Sequence, residues 1–297
     1  MVKDLREKTG MGMMECKKAL EENGGDMEKA IVWLRERGMS RAAKKADKIA
    51  AEGVVEVYVS PDRAAGVLLE VNCQTDFVAK NEDFVKIAKE AAEAALKTKA
   101  STVQELAQAK ITGGTVHDRL VELAAKIGEK MELRRLKVVQ TTNGVVAGYS
   151  HMGGRIGTLV VLEGAKGDDV ETLGKDIAMH VAAASPRYLT EAEIDQSELD
   201  TEREIARKKL EEEGKKPDMI DKILVGQMKK FAKEVCLVDQ PFVKDQNVTV
   251  SKHVENSKKG LKLAGFARFA LGEGIEKKVE NFAEEVAAQA AAAAKKH

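Results

Sequence analysis

The side chains that most often carry covalent or metal chemistry are few and scattered in this sequence. Cys16, Cys73 and Cys236 lie far apart with no CxxC spacing, so they read as buried thiols of a reducing compartment. His117, His151, His180, His253 and His297 are too dispersed to frame a metal site, and no HExxH occurs. No window fits GxxxxGK[ST], no GxGxxG follows a strand pattern, and no nucleophile elbow is present. Gly153-Gly154-Arg155-Ile156-Gly157 only approaches a glycine-rich loop, and its place between two strand patterns favours a hairpin turn. The expectation is a protein with no catalytic residue, no metal and no cofactor, acting on another macromolecule by contact.

One segment has the marks of a contact loop. Val67-Leu68-Leu69-Glu70-Val71 reads as a strand, and Asn72-Cys73-Gln74-Thr75-Asp76-Phe77-Val78-Ala79-Lys80-Asn81 breaks its pattern before a helix. Two readings stay open. Thr75-Asp76 can cap the following helix and leave Phe77 packed on the sheet. Alternatively, Phe77 projects as an apolar wedge beside the charge of Asp76, suited to prying apart a packed surface.

The rest of the chain must position that loop. Its 297 residues carry 49 Lys+Arg against 49 Asp+Glu, so no net charge draws it to nucleic acid or anionic lipid. Hydrophobic residues at 43% argue against disorder, and aromatics at 4% argue against a stacking platform for single strands. No apolar run reaches the ~20 residues of a membrane span. The charged start MVKDLREKTG has no apolar core of a secretory signal, which makes the cytoplasm the expected location.

Residues 1–38 read as three helices, Val2–Thr9, Met14–Glu22 and Met27–Arg37, with Gly10, Asn23-Gly24-Gly25 and Gly38 as stops and Asp26 as an N-cap. Leu5, Met13, Cys16, Leu20, Ala30, Ile31 and Leu34 fall at helical spacing and are expected to share a core. Residues 39–53 read as a basic helical linker. An internal repeat follows: Gly53-Val54-Val55-Glu56-Val57-Tyr58 is matched by Gly144-Val145-Val146-Ala147-Gly148-Tyr149, and Gly66 by Gly157, at a constant offset of 91 residues. Each copy reads strand, turn, strand, then an amphipathic helix, at about 81–97 and 169–184. Thr115-Val116 and Thr249-Val250 then each open a further helix, followed by strands at 132–140 and 261–271.

The second copy is interrupted between Leu189 and Lys233. A narrow stripe of Leu199, Ala206, Leu210, Ile220, Leu224 and Phe231 runs through two arms split by Gly214-Lys215-Lys216-Pro217. Residues 190–213 hold ten acidic and four basic side chains, and 215–233 hold two and six, which suits an antiparallel helical hairpin. The fold class expected is α+β. Its parts are a three-helix unit (1–38), the linker (39–53), two related antiparallel-sheet/helix subdomains (54–141; 142–188 with 234–271), the inserted hairpin (189–233), and a C-terminal helical module (272–297).

Six stretches, TGMGMMECKKAL (9–20), NCQTDFVAKN (72–81), HMGGRIG (151–157), KDIAMHVAA (175–183), QPFVKD (240–245) and GEGIEKK (272–278), together resemble the bacterial translation elongation factor Ts family. The resemblance runs in order from Met1 to about residue 287. It implies a ubiquitin-associated-like (UBA-like) N-terminal domain, a coiled-coil hairpin and a guanine nucleotide exchange factor acting on elongation factor Tu, with no activity as an enzyme. It implies that Asp76 and Phe77, flanked by Thr75 and Val78, insert between two helices of the GTPase and disturb its magnesium and phosphate site. It nominates Met13, Met14 and Lys17 as further contacts, His151 rather than Met152 at the hairpin, and Phe282 and Val286 in the C-terminal helix. A homodimer or a 2:2 complex is compatible with it. An RNA-associated module using the basic linker, Arg134-Arg135 and the hairpin lysines is the rival reading, disfavoured by neutral charge and few aromatics. Recognition of a ubiquitin-like fold by the N-terminal unit is a second rival, resting on fold analogy alone.

Overall fold

The computed structural model describes residues 1–44 and 48–276. Part of the expected linker, at 45–47, and the expected C-terminal helix with Phe282 and Val286 lie outside the described residues. The chain opens with α1 (Val2–Thr9), α2 (Met13–Glu22) and α3 (Met27–Lys44). Gly10 ends α1 in the left-handed conformation, and the Asp26 carboxylate accepts from the Glu28 and Lys29 amides, both at 3.0 Å, to start α3. Leu5, Cys16, Leu20, Ala30 and Leu34 meet in one small core.

Two expectations for this unit are overturned. Met13 is 56% exposed, and Met11, two residues earlier, is the methionine that joins the core. Gly38 does not stop α3, which runs on to Lys44. A Cβ at position 38 would lie 2.5 Å from the Ala125 Cβ, so the glycine serves close packing of α3 on a later helix. The linker is correspondingly less helical than expected: α3 takes its start, and residues 48–51 are not helical.

The first copy of the repeat comprises β1 (Glu52–Val59), β2 (Ala65–Cys73), α4 (Asp76–Ala79), α5 (Glu82–Thr98), α6 (Val103–Ala107), β3 (Lys110–Ile111), β4 (Gly114–Thr115), α7 (Val116–Ile127) and β5 (Met131–Gln140). The second comprises β6 (Gly144–His151), β7 (Ile156–Glu163), α8 (Asp168–Ala184), α9 (Gln196–Glu212), α10 (Pro217–Val235), β8 (Pro241–Phe242), β9 (Asp245–Thr249), α11 (Val250–Ser257) and β10 (Lys262–Ala270). Strands pair antiparallel as β1-β2-β5 and β10-β7-β6. The repeat survives in register: Val59 pairs Gly66, and 91 residues on, Ser150 pairs Gly157. Thr115 and Thr249 cap α7 and α11 through their hydroxyls.

Alternation along β2 sends Val67, Leu69 and Val71 to a core beneath α5 and α7, with Phe84, Ile87 and Leu120. Leu68 points the other way and meets Val146, Leu159 and Val161 of the second sheet. Val160 and Leu162 of β7 pack outward under α8 with Ile177, Val181 and Phe242. The order is helices, sheet, sheet, helices. Among the described residues no helix is long and apolar enough to cross a membrane.

The α9–α10 hairpin is closed by Leu210, Ile220 and Leu224, with Gly214 left-handed at the turn and Pro217 in the first turn of α10. Arg207 and Asp221 pair across it at 2.7 Å. At its base, Gln240 Nε2 donates to the Glu234 carbonyl at 2.7 Å, and Gln240 Oε1 meets His180 Nε2 at 2.9 Å. The Val243 amide donates to His180 Nδ1 at 3.1 Å, so the proton of the neutral ring sits on Nε2. A charged ring would turn that acceptor into a second donor facing the amide.

Two outcomes follow from this packing. Gly157→Val should cost ~1–3 kcal/mol of unfolding free energy by overpacking, read from the urea midpoint. Burial holds the His180 pKa below its ordinary 6.5. The neutral form is therefore favoured by folding, and its contribution is complete above that value and lost as pH falls below it. Urea unfolding at about pH 7.5 and about pH 5.5 should show a loss of up to ~1.4 kcal/mol per pH unit over part of that range. The loss should be smaller in His180→Gln, even if that variant starts less stable.

Candidate partner-binding site

The loop after β2 caps a helix and also leaves Phe77 projecting. Thr75 is the N-cap of α4, accepting from the Val78 amide at 3.4 Å, and the Ala79 amide donates to the Thr75 carbonyl at 3.2 Å. In a helix, consecutive side chains point about 100° apart, so neighbours in a single turn can lie on different faces. Val78 turns into the core under α5 and is 5% exposed, while Phe77 stands out at 82% exposed. Phe77 does not pack on the sheet. Val78, counted above with the contact residues, is a core residue whose side chain is no part of the exposed surface.

Asp76 is half-exposed and pairs with Lys80 at 2.7 Å, four residues on. The Lys80 ammonium holds its carboxyl below the usual carboxylate range, with a smaller contribution from Arg155 of the second copy. Arg155 also pairs with Glu52 at 2.9 Å, and the Val55 amide donates to the Gly154 carbonyl at 2.8 Å. The β6–β7 hairpin tip is thus fastened to β1, near the charge of Asp76. Asn81 caps α5 by accepting from the Phe84 amide at 3.2 Å. On the strand side, Cys73 Sγ donates to the Thr75 carbonyl at 3.2 Å, and burial pushes that thiol up to about 12, so it is an inert neighbour.

Glu129, in the turn between α7 and β5, accepts from the Thr75 amide at 3.1 Å and from its hydroxyl at 2.9 Å. Sequence reading missed Glu129 and Lys80. Lys80 had a readable signal in its i,i+4 spacing from Asp76. Glu129 had none, being 54 residues from Thr75.

The other nominated residues come from two further elements. Met14 is 73% exposed and lies with the exposed Met13 at the start of α2, where Lys17 pairs with Glu21 at 3.7 Å. His151, at the end of β6, is exposed and shares a hydrogen bond of 2.9 Å with the Tyr149 hydroxyl. Met152 beside it is 66% exposed at a positive φ of 50°. Phe282 lies outside the described residues. Among the described residues no group of three or more His, Cys, Asp or Glu is arranged to hold a metal ion.

The loop thus presents an exposed phenylalanine on a capped turn, and the start of α2 presents two exposed methionines. A family model described as elongation factor TS matches residues 74–273, beginning at that loop. An elongation factor Ts of Clostridium perfringens (strain SM101 / Type A) is 49% identical over 292 residues, covering 96% of each chain. The chain belongs to the elongation factor Ts family. An elongation factor Ts of Clostridium acetobutylicum is 48% identical over 295 residues, 97% of this chain and 96% of that one. One of Clostridium novyi (strain NT) is 49% identical over 297 residues, 97% of each. Membership of the elongation factor Ts family makes this a factor of translation elongation in protein biosynthesis.

The adjacent residues of the loop should separate cleanly in stability. Phe77→Ala should shift unfolding free energy by less than ~0.5 kcal/mol, as a surface change does. Val78→Ala, one residue on, should cost ~1–3 kcal/mol for the lost burial and the cavity. Chemical denaturation of the two variants reads both.

Proposed function

We propose that this chain is the guanine nucleotide exchange factor of elongation factor Tu, working in the cytoplasm and without a cofactor of its own. The observation that carries the reading is Phe77, 82% exposed on a turn that is capped on both sides, in a chain of the elongation factor Ts family. Asp76 and Phe77 insert between two helices of the GTPase, disturb the site of its magnesium ion and phosphates, and GDP leaves faster. Met13, Met14, Lys17, His151 and Phe282 add contacts elsewhere on the GTPase. In this reading the α1–α3 unit is the UBA-like domain, the two sheet-bearing copies are the core, and α9–α10 is a coiled-coil arm.

The energetics set what such a surface must do. An exchange factor binds the nucleotide-free GTPase more tightly than the nucleotide-bound one, and by linkage the nucleotide weakens its grip by the same factor. Each tenfold of that coupling needs ~1.4 kcal/mol of differential contact. Burying one Phe side chain supplies ~1.5–3 kcal/mol, enough for part of a large coupling. The exposed methionines suit the remainder, being flexible and polarizable at a second patch.

The test is release of fluorescent GDP from purified elongation factor Tu. Catalytic amounts of this protein should accelerate it, and no acceleration would sink the reading. Phe77→Ala should lower the acceleration roughly tenfold or more at sub-saturating concentration, the rate equivalent of that lost burial. Asp76→Ala should lower it as well, with thermal unfolding of both variants close to that of the parent protein.

A further inference from the structure

The wedge helix cannot hold itself. α4 spans only Asp76–Ala79, far short of the length at which a helix persists without outside support. What fixes it is a chain of hydrogen bonds with a determined direction. The Glu129 carboxylate only accepts, so the single proton of the Thr75 hydroxyl goes to it, at 2.9 Å to one oxygen and 3.1 Å to the other. That leaves the hydroxyl lone pairs free to accept from the Val78 amide, the N-cap bond of α4. The Thr75 amide donates to the same carboxylate at 3.1 Å, and its carbonyl accepts from Cys73 Sγ at 3.2 Å. Every polar group of Thr75 is thereby committed, and Glu129 takes two of them.

We propose that Glu129 is the positioning residue of the wedge: by fastening Thr75 to the turn between α7 and β5, it holds Asp76 and Phe77 in the projecting geometry before any partner arrives. This rests on the reading of Phe77 as the inserting group. Glu129 is half-buried behind the loop and acts through Thr75. Holding the turn beforehand removes an ordering cost from association, so the effect falls on how well the loop engages the GTPase. An alanine at 129 leaves Thr75 with an unanchored amide and a hydroxyl free to rotate away from the cap.

The test uses the full chain in four forms: parent, Glu129→Ala, Phe77→Ala and the double variant. Two readouts are taken: GDP release from elongation factor Tu, and amide hydrogen exchange across residues 74–81. Glu129→Ala should slow the acceleration about tenfold at sub-saturating concentration, the equivalent of one charge-assisted hydrogen bond. It should also speed hydrogen exchange in the loop while the melting temperature holds. Glu129→Gln, which keeps one acceptor oxygen, should recover part of both. In the Phe77→Ala background, the Glu129→Ala change should add much less to the exchange defect than it does in the parent, the remainder acting through Asp76.

An equal and additive defect in that background would overturn the proposal, because Glu129 would then act on the partner independently of Phe77. So would parent-like GDP release by Glu129→Ala, whatever the loop amides do. If the parent protein itself does not accelerate release, the exchange reading fails. The loop amides then decide for Glu129: unchanged protection overturns its positioning role and lost protection supports it.

Discussion

At the centre of the molecule Leu68 of β2 and Leu159 of β7, equivalent residues of the two copies, are both fully buried between facing sheets. Each lies against the other copy's glycine: a Cβ on Gly157 would come within 3.3 Å of Leu68, and one on Gly66 within 2.9 Å of Leu159. The same added atoms would approach Val55 and Val146 still more closely. Packing at interior density leaves little room for such insertions, so glycine at these positions allows the two sheets to approach closely. A polar anchor sits at the edge of the same interface. Glu70, fully buried, accepts from Arg134 at 3.0 Å, from Arg135 at 2.5 Å and from the Gly272 amide at 2.8 Å just past β10. Each partner lost would leave this buried charge less well compensated, so the cluster favours one relative placement of the elements that supply it.

That placement reaches the loop surface. The wedge belongs to the first copy and the β6–β7 hairpin to the second, yet the hairpin tip bonds β1 through the Gly154 carbonyl and the Arg155–Glu52 pair. Their relative position is inherited from the sheet packing. In the proposed role this stiffness matters, since a wedge on a loose mount would yield before the partner did.

Much of this was legible in the amino-acid order because it follows from local chemistry. The repeat, its strands, the Thr115 and Thr249 caps and the Gly214–Pro217 turn are written in period, branching and backbone preference, and they stand within a residue or two of expectation. The misreadings arose where tertiary contact decided. Gly38 has the residue type of a helix stop, but its smallness serves Ala125, a residue far along the chain. Met13 sits at core spacing, but the core takes Met11 from the preceding turn. At the loop, TDFV marked the place, while the inward turn of Val78 and the grip of Glu129 depend on which face of a one-turn helix meets α5. Spacing alone does not fix that.

The interrupted second copy has a consequence for how the chain is made. The first sheet closes once β5 has emerged, but β7 waits for its partner β10 across α8, the helical hairpin and α11. That delay is on the order of 100 residues, or roughly 5–20 s at usual elongation speeds. Throughout it, one edge of β7 is unpaired and open to a wrong strand. The residues of the first copy are already made by then, so Leu68, the packing partner of Leu159, precedes β10 in synthesis.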